Sequence, residues 1–537
     1  MVSPPQSFKD TPRHYEESDD GLAHTSVKSQ LSHWHAIKGR EHRSFVRNIV
    51  PSFRWKTQKN SPNEIVIHNP IKLLRSVPAK GWLYFLVGWF AWTCDGFDYF
   101  AVSVTMTDLA HYFGKSNHDI STAITLTLLF RSLGAFLFGI AADRFGRKWT
   151  LFVNLLMIAA LELGSGFVQT YSAFLGVRSI FGIVMGGIWG TSAAIALENV
   201  PPHARGLMSG MMQQGYAVGY LLAASVNFIT PHSKYGWRCV YFFGAGFSLL
   251  AALLRLVVPE SKQYIEARER AKAEALPAKE ATRRFGRAIL DMLKTNWIRV
   301  IWAICCMTGF NFLSHGSQDL YPTYLKETKL LSPAVTNRAV IISNVGAVCG
   351  GTIAGYLSQY SGRRLTGLIF LCITAAFIPL WILPGNFSGL AAGGFWMQFG
   401  VQGAWGIVPI YLSEVSPPAF RALFAGLSYQ LGNMASSGAA QIETDAGESI
   451  QIPDPKEPGK MMPDYATVQG ILIGAVIAWL MIFLFLGPEA DGSHFEHAKA
   501  AYEEGAGKET GTRLVHEDEY IRRESQMHRE EREAEKA

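Results

Sequence analysis

"GIAADRFGRK", Gly139 to Lys148, and "GYLSQYSGRR", Gly355 to Arg364, decide how this chain is read, because a single offset of 216 residues lays one on the other. The same offset carries Trp189-Gly190 to Trp405-Gly406, Glu198 to Glu414, Pro201-Pro202 to Pro417-Pro418, Arg205 to Arg421 and Gln214 to Gln430. A constant spacing held without a gap over several loops and apolar stretches implies two homologous halves. Two such halves facing one another leave a substrate path between them near the bilayer midplane.

Composition supports this. The 537 residues are 49% hydrophobic and only 17% charged, and a mean hydropathy of +0.12 averages polar ends with a far more apolar middle. Segments of roughly 20 apolar residues, enough to cross a bilayer, fall at 81–104, 120–142, 151–168, 174–197, 207–229 and 240–258, then at 298–321, 340–357, 368–383, 390–412, 424–440 and 470–486. The expected fold is an all-α membrane protein with twelve transmembrane helices in two pseudo-symmetric six-helix bundles. The expected domains are an N-terminal tail (1–77), a first bundle (78–258), a polar basic linker (259–297), a second bundle (298–487) and a C-terminal tail (488–537).

The polar, proline-bearing opening "MVSPPQSFKDTPRHYEESDD" lacks the pattern of a cleaved signal, so the first span is expected to direct insertion. The loops "DRFGRK", "PPHAR", "SGRR" and "SPPAFR" and the linker are basic and fall on one side, which puts both tails and the linker in the cytoplasm. The net charge of +6 is accounted for by those loops rather than by nucleic-acid binding. The six cysteines show no C-x-x-C or zinc spacing and read as packing residues. No nucleophile-base pair, metal cluster or phosphate-binding loop is visible, so neither an enzyme nor a cofactor or metal is expected. The charge-dense tails are expected to be solvated, and can serve trafficking or turnover machinery.

"GIAADRFGRK" resembles the loop between the second and third helices of the major facilitator superfamily, with "GYLSQYSGRR" a weaker echo in which Gln359 stands for Asp143. "RSIFGIVMGG" from Arg178 and "PESKQY" from Pro259 resemble the fourth-helix pattern and sixth-helix end of the same superfamily. The resemblance implies a conformational latch at Gly139, Asp143, Arg144, Gly146 and Arg147. Asp143 can accept from a helix N-terminus and from Arg147 or Lys148 in one state and release them in another.

The seventh span ends in "NFLSHGSQDLYPT", Asn311 to Thr323. At helical spacing Asn311, Ser314, His315, Gln318 and Asp319 share one face. Ionisable groups at such depth usually face a bundle interior or watery cavity and mark a functional path; the plainer alternative is a helix-packing network. Residue by residue this stretch also resembles the pattern N-x-x-[ST]-H-x-[ST]-Q-D-x-x-x-T of the fungal Jen family of proton-coupled monocarboxylate transporters, at Asn311, Ser314, His315, Ser317, Gln318, Asp319 and Thr323. The resemblance implies uptake of lactate, pyruvate or similar acids with a proton, through Asn311, His315 and Asp319. His and Asp in a cavity are titratable, and their protonation can be coupled to anion binding.

A carboxylate needs donors. Arg131, mid-span in the second helix, can fork to one, and the family resemblance points to the same residue; the alternative is an ion pair with Asp95 or Asp98. "WTCDGFDYF" of the first span resembles the first-helix motif of organic-acid carriers, and there Asp95 or Asp98 can hold the coupled proton or balance Arg131. The resemblance favours Gln430 as a substrate donor, whereas Gln214 reads equally as packing. Glu162 is expected to have a local partner, Arg178 to snorkel from the outer end of its span, and Glu198 and Glu414 to brace loops.

The expected function is therefore a plasma-membrane symporter importing short monocarboxylates by alternating access, with substrate, proton and bilayer as partners. Dicarboxylates or other organic acids are the alternative substrates, and a non-transporting nutrient sensor of the same fold is the alternative role.

Overall fold

The computed structural model describes residues 69–230, 233–260, 265, 278–417, 420–454 and 459–488. The tails 1–68 and 489–537, most of the linker, and the side chains of Asp143 and Glu198 lie outside the described residues. After a short helix α1 (Pro70–Ser76), the first half contains α2 (Ala79–Phe113), α3 (Asn117–Phe145), α4 (Arg147–Phe167), α5 (Tyr171–Met185), α6 (Ile188–Glu198), α7 (Arg205–Gln213), α8 (Gly215–Ile229) and α9 (Arg238–Val257). The second half contains α10 (Ala278–Gln318), α11 (Tyr321–Glu327), α12 (Pro333–Ser361), α13 (Arg363–Ile382), α14 (Phe387–Gly406), α15 (Val408–Val415), α16 (Arg421–Ser436), α17 (Ala439–Ser449) and α18 (Tyr465–Leu486). A small antiparallel hairpin, β1 (Gln451–Pro453) with β2 (Met461–Pro463), precedes α18.

Among the described residues, eight helical stretches are long and apolar enough to cross a membrane. The other four expected crossings are also helical, at α2, α7–α8, α14–α15 and α16–α17. Their lower apolarity has a physical reason. From Ala91 to Met106 every residue of α2 is buried, and a helix wrapped in protein rather than lipid can carry Asp95 and Asp98.

Local chemistry sets the helix ends. Ser116 and Asp119 form a reciprocal capping box that starts α3. Gly146 (φ 100°) and Gly362 (φ 86°) hold the sharp turns into α4 and α13, a backbone region that only glycine enters freely. Glycine therefore recurs in both copies of the loop motif.

Two expected boundaries move. The last twenty residues of the linker are helical, because α10 begins at Ala278 and reaches the seventh crossing through one break in helical dihedrals at Asn296. The long loop expected after the eleventh span is instead helical as far as Ser449, where Asp464 N donates to the carbonyls of Gly447 and Ile450 and ties the helix end to the hairpin.

Each half packs mainly within itself, and the halves meet where α16 and α17 lie on α3 and where α7 and α8 lie on α12. The halves touch at both ends of the interface. At the end bearing the loop motifs, Gly206 N donates to Gln359 Oε1 (3.0 Å) and Ser209 Oγ bridges Gly406 O (3.2 Å) and Ile410 N (3.0 Å). There Gly210 and Gly355 touch backbone to backbone. At the far end, Lys326 Nζ donates to Thr107 Oγ1 (3.0 Å), Gln441 Nε2 to Thr122 Oγ1 (3.3 Å), and His118 Nε2 lies 3.2 Å from Asp445 Oδ1.

Candidate functional site

Between the two sets of end contacts, Arg131, Asp95, Asn311, His315, Asp319 and Gln430 are each at most 3% exposed. Arg131 of α3 reaches across to α2, where its Nη2 donates to Asp95 Oδ2 at 2.9 Å. Its Nε and the other oxygen of Asp95 have no hydrogen-bond partner. The guanidinium thus has one edge engaged and another available, and the ion-pair alternative is realised with Asp95.

Asp98, one turn along α2, faces elsewhere. Its Oδ2 accepts from Ser248 Oγ (2.7 Å), and its carbonyl accepts from Arg178 Nη2 (3.2 Å). Arg178 also donates to Glu162 Oε2 at 2.9 Å, and both side chains are buried. This corrects the expectation that Arg178 snorkels: a cation wholly inside the bundle needs a buried counter-charge, and Glu162 supplies it. Asp98 belongs to this cluster rather than to Arg131.

Across the interface His315 Nδ1 lies 3.0 Å from Asp319 Oδ2, one helical turn away. Tyr99 of α2 closes the group from the opposite half, its hydroxyl 2.8 Å from Asp319 Oδ2 and 3.1 Å from His315 Nδ1. On the other ring nitrogen, Nε2 lies 3.0 Å from Asn433 Oδ1, while Asn433 Nδ2 donates to Gln430 Oε1 at 2.6 Å. Gln430 Nε2 has no partner.

As the amides are oriented, Asn433 spends its nitrogen on Gln430 and presents its oxygen to His315 Nε2, which donates to it. Tyr99 donates its hydroxyl to Asp319, so the pair, its α2 partner and the two amides form one continuous hydrogen-bonded chain across the interface.

Asn311 is placed differently from the expectation of a substrate donor: its amide donates to Met307 O (2.9 Å) and Tyr429 O (3.2 Å), joining α10 to α16. Ser314 and Ser317 build a packing ladder, with Ser314 Oγ donating to Gln318 Oε1, Gln318 Nε2 to Gln398 Oε1 and Gln398 Nε2 to Ser317 Oγ, at 2.8, 2.8 and 3.1 Å. The polar stripe is therefore divided, His315 and Asp319 facing the opposite half and Ser314 and Gln318 facing α14. Aromatic rings wall the centre: Trp92 stacks on Tyr216 (5.2 Å) and Trp189 on Tyr429 of the other half (4.6 Å).

Sequence reasoning passed over Tyr99, Asn433 and the aromatic wall. The first two had a signal, since Tyr99 is the repeat equivalent of His315 and Asn433 lies one turn beyond Gln430. At the loop motif, Gly139 abuts Leu423 (3.3 Å from an added Cβ). Lys148 N donates to Glu260 Oε2 (2.9 Å) and its Nζ to Leu256 O (2.8 Å), tying the loop to the end of α9. Arg144 lies 5.8 Å from the Phe145 ring centroid.

The sequence profile described as "Sugar (and other) transporter" matches residues 70–502. The chain belongs to this family. Among its relatives is the "Carboxylic acid transporter protein homolog" of Saccharomyces cerevisiae, 35% identical over 436 residues, covering 78% of this chain and 70% of that protein. The "Cis,cis-muconate transport protein" of Acinetobacter baylyi is 25% identical over 358 residues, 66% of this chain and 84% of the relative. In three dimensions the chain is similar to the major facilitator superfamily proton:xylose symporter XylE bound to 6-bromo-6-deoxy-D-glucose. The TM-score is 0.61 at 18% identity, covering 79% of this chain and 99% of that one. The chain is thus a multi-pass membrane transporter with the major facilitator fold.

Proposed function

We propose that this chain is a plasma-membrane symporter that imports a short monocarboxylate such as lactate or pyruvate together with a proton, by alternating access, with both termini in the cytoplasm. The observation that carries this reading is the burial, between the two halves, of an arginine whose Nε has no partner and of a hydrogen-bonded His315–Asp319–Tyr99 cluster able to take up a proton. The yeast relative's name supports the acid class.

In the proposed cycle the substrate carboxylate takes the open edge of Arg131 in a charge-assisted fork, competing with Asp95. Gln430 Nε2 donates to the same carboxylate or to its α-oxygen. Loading of the His315–Asp319 pair removes its excess negative charge, so that burying the anion leaves no unpaired charge in a low dielectric. Asn433 and Gln430 can transmit the state of that pair. With both amides turned over, Nε2 accepts, Nδ1–H donates to Asp319, and the site holds one proton fewer. Gln430 then presents its oxygen rather than its nitrogen to the substrate, which disfavours an anion. Asp95 and Asp98 are alternative carriers of the coupled proton. Asn311 acts by holding α10 against α16. Gly139, Asp143, Arg144, Gly146 and Arg147 serve as the latch at the cytoplasmic end, and the boundaries 78–258 and 298–487 delimit the moving bundles.

A second reading is that the cargo is a dicarboxylate or larger organic acid, favoured by the muconate carrier among the relatives. The test is uptake of labelled lactate by cells lacking their own carriers, at acidic and neutral outside pH, for wild type, Arg131→Ala and Asp319→Asn. Saturable uptake that rises in acid, collapses with a protonophore and is lost in the variants supports the first reading. Absence of lactate uptake by protein shown to reach the surface, with uptake of a diacid in the same cells, establishes the second.

A further inference from the structure

Glu443, in the middle of α17, is fully buried and takes no part in the cycle above. Its Oε2 accepts from Gln469 Nε2 of α18 at 3.3 Å, whereas its Oε1 and the oxygen of Gln469 have no partner. Among the described residues it makes no ion pair. A Cβ added at Gly316 would meet Glu443 Oε1 at 3.1 Å, Leu472 Cδ2 at 3.1 Å and Ile473 Cδ1 at 3.4 Å. The carboxyl is therefore seated on bare backbone between aliphatic side chains.

Near Glu443, the described titratable groups on the elements packed against α17 supply no free cation, the Lys and Arg residues of α10 lying at its other end, from 279 to 299. Arg131 of α3 is engaged by Asp95, and His118 and Asp119 lie at the outer start of α3, with His118 on Asp445. On α10 and just beyond it stand His315 and Asp319, already joined. Helix α18 contributes Tyr465, beside Gly447; Asp464 and the exposed Lys460 flank β2; Asp445 and Glu448 are on α17 itself. A carboxylate buried without a counter-charge neutralises instead. One proton on Oε1 also lets it donate to the oxygen of Gln469, completing an acid-amide fork that satisfies both atoms left unpartnered. Packing alone does not call for an acid. The repeat equivalent of Glu443 is Asn227, whose neutral amide simply donates to Val104 O at 3.1 Å.

The opposite face of α17 forms the far seal, through Gln441 to Thr122 and Asp445 to His118. We propose that Glu443 is an additional proton-binding site, neutral while this seal is shut and ionised when α17 swings away and water reaches it. Resting on the transport reading, the site makes closure of the outer seal take up a proton, in addition to any held by the neighbouring His315–Asp319 pair. Outside acid then favours closure. Above the ionisation of the opened carboxyl, each rise of one pH unit weakens closure by up to about tenfold.

The test uses full-length protein in lipid nanodiscs without substrate, and uptake in cells. In the infrared difference spectrum of wild type minus Glu443→Gln at neutral pH, the carbonyl band of a protonated carboxylic acid is expected. Gln469→Leu keeps the carboxyl and is expected to shift that band, which decides the matter if Glu443→Gln does not fold. In uptake, Glu443→Gln is expected to keep its acid-level apparent affinity at neutral outside pH, flattening the dependence by about tenfold per unit. A spectrum unchanged by both substitutions, or a pH dependence of Glu443→Gln equal to wild type, overturns the proposal. The infrared result needs no substrate, so it stands or falls even if no carboxylate is transported.

Discussion

Whether Arg131 binds cargo or merely balances Asp95 is decided by a double-mutant cycle on the pair. The two groups are 2.9 Å apart and at most 1% exposed, so Arg131→Gln or Asp95→Asn alone leaves an uncompensated buried charge, at a cost of about 3–5 kcal/mol. Both single variants should melt well below wild type in detergent. In the double variant two neutral amides face one another and no charge is stranded, so most of that loss should return. Transport should behave differently. A charge-assisted hydrogen bond to a substrate carboxylate contributes about 1.5–3 kcal/mol, which at 1.4 kcal/mol per decade is roughly 10- to 150-fold in apparent affinity. The double variant should therefore be stable and surface-expressed yet show a KM for lactate raised by that factor. Recovery of wild-type KM together with stability would refute the reasoning and reduce Arg131 to a counter-ion.

Tyr99→Phe removes a donor to Asp319 without changing ring volume. Because that hydroxyl joins Asp319 to the opposite half at 2.8 Å, its loss should lower the initial rate of uptake at saturating lactate with surface expression unchanged. Gly355→Val puts a side chain where a Cβ already lies 2.6 Å from Gly206 O. The variant should fold, since the clash is between halves, but lose uptake and leave the cytoplasmic end open to a membrane-impermeant thiol reagent in inside-out vesicles. Glu414→Gln breaks the two-pronged contact with Arg363 (3.1 and 3.0 Å). Thermal unfolding should show a loss of about 3–5 kcal/mol, with KM unchanged.

The architecture was legible because repetition and apolarity are written at the scale of whole helices. A 216-residue offset survives any error of a few residues in helix ends. The partner of each charge was less legible. Arg131 had two acids within a turn of one another on the same helix, and only the rotation of α2 about its axis selects Asp95 over Asp98. Arg178 was misjudged for a related reason: depth along a helix is readable from sequence, but whether a neighbouring helix shields that depth from lipid is not. The polar stripe of α10 was found as a stripe, yet its division between two faces depends on α14 approaching Gln318. Glu443 escaped notice because the apolar run of the eleventh span stops before it, while the helix continues.

The two ends of the interface are made of different materials. On the proposed orientation the cytoplasmic seal rests largely on glycine backbones, Gly206 and Gly210 against Gly355, whereas the outer one is held by histidine, lysine, amide and hydroxyl side chains. Backbones this close leave no room for a side chain, so that contact tolerates little but glycine, whereas the outer one can be altered by exchanging single side chains. On that orientation the inner contact is a matter of shape and the outer one a matter of chemistry, so substitutions that adapt the carrier to its medium belong at the outer end.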